Sequence, residues 1–112
     1  MMEVRIPIRT YSEPNRRDHW AKKACRVKQQ RKAARICVRA ALATGPRMNR
    51  ERVRVDLIRV APSMLDTDNL AAGLKAVRDG VADALGMDDA DARLFWAYGQ
   101  RRGRPGEYAV IV

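Results

Sequence analysis

Acidic side chains that could take part in chemistry are concentrated in one part of this sequence. Seven of its thirteen acidic residues lie between Asp66 and Asp91, with only two basic residues, Lys75 and Arg78, among them. That stretch has a net charge of −5, and because the whole chain carries +10, the remainder carries +15. Carboxylates on a phosphate-attracting protein repel its ligand unless a divalent cation lies between carboxylate and phosphate. The charge distribution therefore indicates a metal site in a protein that binds phosphate groups.

Asp66 and Asp68 are the first candidate ligands, since they flank one residue and would point to the same side of an extended segment. Asp89, with Asp88 or Asp91, lies just past the end of the helix predicted to follow. Carboxylate-bound Mg²⁺ can activate a water and stabilise the departing oxygen during phosphodiester hydrolysis. The intervening helix would span roughly 25 Å at 1.5 Å per residue, so spacing alone leaves open whether the two groups meet.

Lys75 is the one lysine within the acidic stretch. It follows Asp68 by seven residues, which is two helical turns, and Asp79 and Asp83 continue the same polar stripe. A lysine in this position could hold a scissile phosphate or orient a water. The simpler interpretation is a solvated pair between Lys75 and Asp79, worth about 0.3 kcal/mol, and spacing alone favours it.

Hydrophobic periodicity predicts the elements that would position these residues. Alternating apolar residues predict strands over 3–9, 52–60 and 93–100, and a hairpin partner of the last strand over 107–112, after the Gly103–Gly106 turn. Apolar residues at helical spacing predict helices over 17–44 and from Asp68 or Asn69 to Gly86. Pro7 should place the first strand at a sheet edge. The order β-α-β-α-β-β predicts one α+β domain over 1–112, with a small mixed sheet against two helices.

The basic residues indicate the class of partner. They comprise eighteen arginines and five lysines, and a guanidinium group binds phosphate oxygens two at a time. Nucleic acid is therefore the leading partner, and its binding should weaken with salt. A basic helix on a membrane surface is the alternative, but the long basic helix offers mostly Ala on its apolar face, so we rank it well behind.

The remaining distinctive residues are expected to be structural. Trp20 opens the apolar stripe of the first helix, which places it in the core, and His19 should cap or pack near the start of that helix. Cys25 and Cys37 lie about 18 Å apart on one helix and cannot bond to each other. Without a leader or a membrane-spanning run, the chain is expected to be a soluble protein of a reducing cytoplasm.

The sequence resembles a known family. The segment 66–70, followed by 74–86 and by Asp88-Asp89, is similar to the signature of the RusA family of Holliday junction resolvases, especially its short phage and prophage members. Residues 12–20 before the basic helix and the Gly-Arg-Pro-Gly segment resemble that family too, so the resemblance covers nearly the whole chain. It implies a homodimeric, Mg²⁺-dependent endonuclease, with Mn²⁺ as a substitute, that binds four-way DNA junctions and makes paired, symmetric nicks.

The resemblance also implies roles for individual residues. Asp66, Asp68 and Asp89 match the metal-binding and catalytic carboxylates, Asp88 is a neighbouring acid at the metal, and Lys75 matches the catalytic lysine. DNA contacts are expected from Asn15, Arg16, Arg17, Lys22, Arg26, Asn69, Arg101 and Arg102. The alternative is a catalytically inactive module that binds branched DNA, in which the acidic residues are helix caps and solvated faces.

Overall fold

The computed structural model describes residues 3–10, 20–45, 51–105 and 107–111. Its elements are β1 (Arg5–Ile6), α1 (Trp20–Thr44), β2 (Val53–Ala61), α2 (Thr67–Gly73), α3 (Lys75–Leu85), β3 (Leu94–Arg102) and β4 (Ala109–Ile111). They form a small mixed α+β domain, which confirms the predicted fold class. Within the described ranges, no helix is both long and apolar enough to cross a membrane.

The sheet has the strand order β1-β4-β2-β3, with β2 inside it. β2 pairs with β3 in parallel along all nine residues and with β4 in antiparallel fashion. Val53, Val55 and Leu57 are buried while Arg54 and Asp56 are exposed, so the predicted alternation of this strand is confirmed. β1 pairs only with β4, which gives it the edge position that Pro7 predicted, although only two residues of the predicted strand 3–9 are in the sheet.

The predicted hairpin between the last two strands is wrong. After β3 the chain crosses the end of β2, and β4 then pairs on the other side of β2. The Gly103 N–H donates to the carbonyl oxygen of Ala61, the last residue of β2, at 2.9 Å. A Cβ at Gly103 would lie 3.1 Å from Val60 Cγ1 and 2.6 Å from Glu107 Oε1, so a larger residue there would force these side chains to move. The turn residues were correctly identified, but β4 pairs with β2 and β1 and not with β3, so the turn leads the chain across the end of β2.

The hydrophobic core lies between α1, α3 and the inner face of the sheet. Ala34 and Val38 of α1 and Val77 and Val81 of α3 are buried in it. The two helices approach closely at Gly80, where an added Cβ would overlap the Arg31 carbonyl oxygen and lie 2.7 Å from Ala34 Cβ. Trp20 is 76% exposed, so the expectation that it belongs to the core is wrong. Its helical spacing was right, but α1 extends past the core at this end.

The second predicted helix is divided into α2 and α3 at Leu74, which has φ −98° and ψ 1°. Gly73, a poor helix former, immediately precedes the break. Asp66 caps α2, so the predicted cap at Asp68 or Asn69 is wrong by two or three residues, and the two-helix order β-α-β-α-β-β becomes a three-helix order. Gly86 ends α3 in the left-handed conformation, with φ 70°, as predicted.

Candidate active site along the β3 edge

One face of β3 contacts both ends of the acidic stretch. Trp96, Tyr98 and Gln100 are paired in register with the inward-facing positions of β2 and therefore point to the side of the sheet that carries the helices. Each of the three side chains forms a hydrogen bond with a different part of the chain between β2 and β3. β3 is thus the element that positions the predicted site residues.

The loop after α3 folds back onto that helix and onto β3. Trp96 Nε1 donates to the Asp89 carbonyl oxygen at 2.9 Å, and Arg78 Nη2 donates to the same oxygen at 3.1 Å. The Arg78 guanidinium carbon lies 4.8 Å from the centre of the Trp96 ring, and Nη1 donates to Tyr98 Oη at 2.9 Å. These contacts fix the position of Asp89 relative to the beginning of α3.

Asp89 reaches Lys75, the first residue of α3. Lys75 Nζ donates to Asp79 Oδ1 at 2.7 Å and to Asp89 Oδ2 at 3.0 Å, and Arg78 Nε lies 3.4 Å from Asp89 Oδ2. We call Lys75, Arg78, Asp79 and Asp89 the Asp89 cluster. The pair between Lys75 and Asp79, which spacing favoured, is confirmed. The second partner, Asp89, depends on the return of the loop, which spacing could not show.

The ion pairs of the Asp89 cluster stabilise its charged forms. The hydrogen bond from Lys75 lowers the pKa of Asp89, and the hydrogen bonds to Asp79 and Asp89 raise the pKa of Lys75. Nearby, the Arg93 side chain and backbone N–H lower the pKa of Asp91 to about 2. Lys75 therefore stays cationic and Asp89 anionic at neutral pH.

Asp66 is held by its own helix. Its Oδ1 accepts from the Asn69 N–H at 2.8 Å and its Oδ2 from Asn69 Nδ2 at 3.0 Å, so Asn69, a predicted DNA contact, also orients Asp66. Asp68 lies exposed in the first turn of α2. Neither aspartate has a basic partner in the described part of the chain. We call residues 63–69 the Asp66 segment.

Gln100 and Arg59, neighbours in the sheet register, attach the Asp66 segment to the sheet. Gln100 Nε2 donates to the Leu65 carbonyl oxygen at 2.7 Å, and the Leu65 N–H donates to Gln100 Oε1 at 2.8 Å. Arg59 Nη1 donates to the Ser63 carbonyl oxygen at 2.6 Å, and its Nε donates to Thr10 Oγ1 at 2.9 Å. Sequence reasoning missed both residues. A signal was present for Arg59, because it occupies an inward-facing position of β2 and a buried arginine needs polar partners.

The Asp89 cluster and the Asp66 segment are separate in this arrangement. Their attachment points, Trp96 and Gln100, are four residues apart on β3, which corresponds to about 13 Å along a strand. Asp88 Oδ1 accepts from the Ala90 N–H at 2.9 Å, so it too is engaged locally. Among the described residues, no three His, Cys, Asp or Glu side chains form a group that could hold a metal ion. Carboxylate oxygens suit Mg²⁺, but this placement does not fit an ion shared by the predicted ligands.

The other predicted DNA contacts are spread over the molecule. Asn15, Arg16 and Arg17 lie outside the described residues, as does His19. Lys22 is exposed and Arg26 half-buried near the start of α1, whereas Arg101 and Arg102 are exposed at the end of β3, directly after Gln100. Cys25 and Cys37 are free thiols, as their predicted separation required.

Comparison with known proteins finds a relative that has no described function. The chain is 38% identical over 79 residues to an uncharacterized protein of Xylella fastidiosa, a match that covers 68% of this chain and 52% of that protein. The chain thus matches about half the length of this relative. No protein-family model matches the chain, and no solved structure matches it.

Proposed function

We propose that the chain is a Mg²⁺-dependent, structure-selective DNA endonuclease of the RusA type that resolves four-way junctions. The observation that carries this proposal is the contact between Lys75 and Asp89. These residues are 14 positions apart and meet at 3.0 Å on the surface of a strongly basic protein. Both have pKa values shifted by specific charge partners, and such groups are concentrated at functional sites.

Lys75 has the properties of a phosphate-binding cation. Its side chain is 59% exposed, and its pKa is raised by hydrogen bonds to two carboxylates that compete with an incoming phosphate for the same ammonium group. If a phosphate oxygen replaced Asp89 as the partner of Lys75, the lysine ammonium group would lie where negative charge develops in the transition state. Asp79 would keep the lysine oriented, because its own bond to Lys75 is shorter at 2.7 Å.

Asp66 and Asp68 in one region, and Asp88 and Asp89 in the other, carry carboxylate oxygens of the kind that Mg²⁺ or Mn²⁺ prefers, but the four do not converge on one position. When bound, such an ion can activate a water for attack on phosphorus.

A homodimer is part of the same proposal. Two cuts on a two-fold symmetric junction require two active sites related by the same symmetry. In sedimentation at micromolar concentration we expect a dimer, and a monomer would contradict this part of the proposal.

A catalytically inactive module that binds branched DNA is the second candidate. It is favoured by the local engagement of the carboxylates, since Asp66 is bound by Asn69 and Asp89 by Lys75. In this alternative, the Asp89 cluster is an ion-pair network that only fixes the loop after α3. Both candidates require DNA binding that weakens as salt is added.

Incubation with a synthetic four-way junction and Mg²⁺ tests the proposal. We expect paired nicks from the wild-type protein and a loss of rate of about 100-fold or more in Asp68→Asn, the size of effect that removal of one charge-stabilising group produces. Asp56→Asn is the matched control, because Asp56 is an exposed aspartate that pairs with Arg54 on the outer face of the sheet. Junction binding without nicks would support the inactive module. Full activity in Asp68→Asn would remove Asp68 from the reaction.

A further inference from the structure

A row of arginines on α1 lines a groove beside α3. Arg31, Arg35 and Arg39 are spaced by four residues, so they follow one side of the helix over about 12 Å. Together with Asp83, Gly86 and Met87 they surround a groove of about 510 Å³. The groove is thus formed by a basic row on one helix and the end of another.

The groove contains more positive than negative charge. Arg31 is bound to Asp83 through two hydrogen bonds, of 2.7 Å and 2.9 Å. The side chains of Arg35 and Arg39 have no hydrogen bond or ion pair with any described residue. Their charges still act on the groove, because they contribute, after Arg31, to the lowered pKa of Asp83. One carboxylate therefore faces three guanidinium groups, which leaves a net charge of +2 for an anionic ligand.

The groove leads to the Asp89 cluster. Asp83 lies one turn after Asp79 on α3, and Asp79 lies one turn after Lys75, so the three residues follow one side of the helix. The pKa of Arg31 is raised mainly by its hydrogen bond with Asp83, and the charges of Asp79 and Asp89 contribute to the rise. Asp83, which lines the groove, is eight residues from Lys75, or about 12 Å along the axis of α3.

Stabilisation of the end of α3 does not require Arg35 and Arg39. The carbonyl oxygens of Asp83 and Ala82 already accept from the N–H groups of Gly86 and Met87, at 3.1 Å and 3.0 Å. The left-handed Gly86 thus completes the helix end with backbone hydrogen bonds. The two arginines are exposed or half-buried and available to a ligand.

We propose that this groove binds the sugar–phosphate backbone of one DNA strand, with Arg35 and Arg39 as phosphate contacts, and directs that strand towards Lys75. Guanidinium groups can bind phosphate oxygens in pairs, and a row of about 12 Å corresponds to about three phosphates of one strand. The inference depends on the DNA partner in the proposed function, and it does not depend on cleavage.

The test is the salt dependence of DNA binding by Arg35→Ala/Arg39→Ala. Fluorescence anisotropy with a labelled four-way junction, in the absence of divalent ions, measures affinity over a salt series. We expect a loss of affinity of about tenfold or more, and a reduction of about 1.8 in the slope of log K against log salt, or 0.9 per phosphate contact. Arg35→Lys/Arg39→Lys should restore the slope and only part of the affinity, because a lysine binds as a point charge.

Arg52→Ala/Arg54→Ala is the matched control. Both arginines are exposed, both lie outside the groove, and their removal lowers the net charge by the same amount. An equal loss of affinity in the two double variants would overturn the groove proposal, since bulk charge would then explain binding. The groove proposal would also be overturned if the Arg35→Ala/Arg39→Ala variant had a lowered thermal stability but an unchanged affinity. A wild-type protein that binds no DNA would instead overturn the proposed function itself.

Discussion

The Asp89 cluster and the Asp66 segment are both held by side chains of β3, but they are held in different ways. In the cluster, Lys75 and Arg78 contact the Asp89 carboxylate itself, and Trp96 contacts its backbone. In the segment, Gln100 binds only backbone atoms of Leu65. One region has its negative charge neutralised, while the other is fixed in place with its charge retained.

This difference gives the two regions different electrostatic properties. Asp89 is already balanced by cations, so a phosphate approaching it meets little net repulsion. Asp66 and Asp68 have no basic partner among the described residues, so they remain the stronger attractors of a cation. Changes that act on only one of the two regions can therefore separate their contributions.

Gly80→Ala should have the largest effect on stability, and it should act through the Asp89 cluster. The new methyl group would overlap the Arg31 carbonyl oxygen and displace α3, which carries three members of the cluster. We expect a loss of about 2 kcal/mol in the free energy of unfolding, typical of overpacking, measured by urea denaturation. Gly99→Ala is the control, because a Cβ there meets only Ile58 Cγ1 at 3.7 Å. Equal stability of the two variants would contradict the close helix contact.

Gln100→Leu should loosen the Asp66 segment alone. It removes both hydrogen bonds to Leu65 and leaves those backbone groups without their side-chain partner, at a local cost of about 2 kcal/mol. Hydrogen exchange should show faster exchange at the Leu65 amide and no change at residues 88–91. Trp96→Phe is the complementary variant, since it removes a bond to Asp89. If it accelerated exchange at Leu65 equally, the two regions would not be independent.

Lys75→Met should have the smallest effect on the folded structure. We expect it to raise the pKa of Asp89 towards the ordinary value for aspartate. Because the pair lowers this pKa, its contribution to stability is present above the ordinary aspartate pKa, near 3.9, and is lost as pH falls through the lowered value. The measurement is an NMR titration of the Asp89 carboxyl carbon, with Lys32→Met as the control. An Asp89 pKa that is unchanged by Lys75→Met would mean that the pair is absent in solution.

The sequence predicted those parts of the fold that depend on local pattern. The alternation of β2, the end of α3 at Gly86 and the pair between Lys75 and Asp79 are properties of neighbouring residues, and all three are confirmed. The order of β4 in the sheet and the return of Asp89 depend on contacts between distant segments. A turn of Gly and Pro fits a hairpin and a crossover equally well, so composition could not distinguish them.

The candidate site was predictable in its residue types and only partly in its geometry. Asp66, Asp68 and Asp89 were identified by charge and spacing, and Lys75 through the family resemblance. Of these residues, Lys75 and Asp89 meet in the structure. Gln100 was missed because a glutamine at the end of a strand has no distinctive pattern. Its role comes from its contact with Leu65, 35 residues earlier in the chain.

The most direct test of whether the two regions form one catalytic site is a double-mutant cycle on junction cleavage. The rates of Asp68→Asn, Asp89→Asn and the double variant are compared with wild type at saturating Mg²⁺. Residues that act as a unit give non-additive losses, so we expect each single variant to lose about 100-fold or more and the double variant to lose little more. Losses that multiply, or a wild-type protein that leaves the junction intact, would contradict the claim that the two regions form one catalytic site.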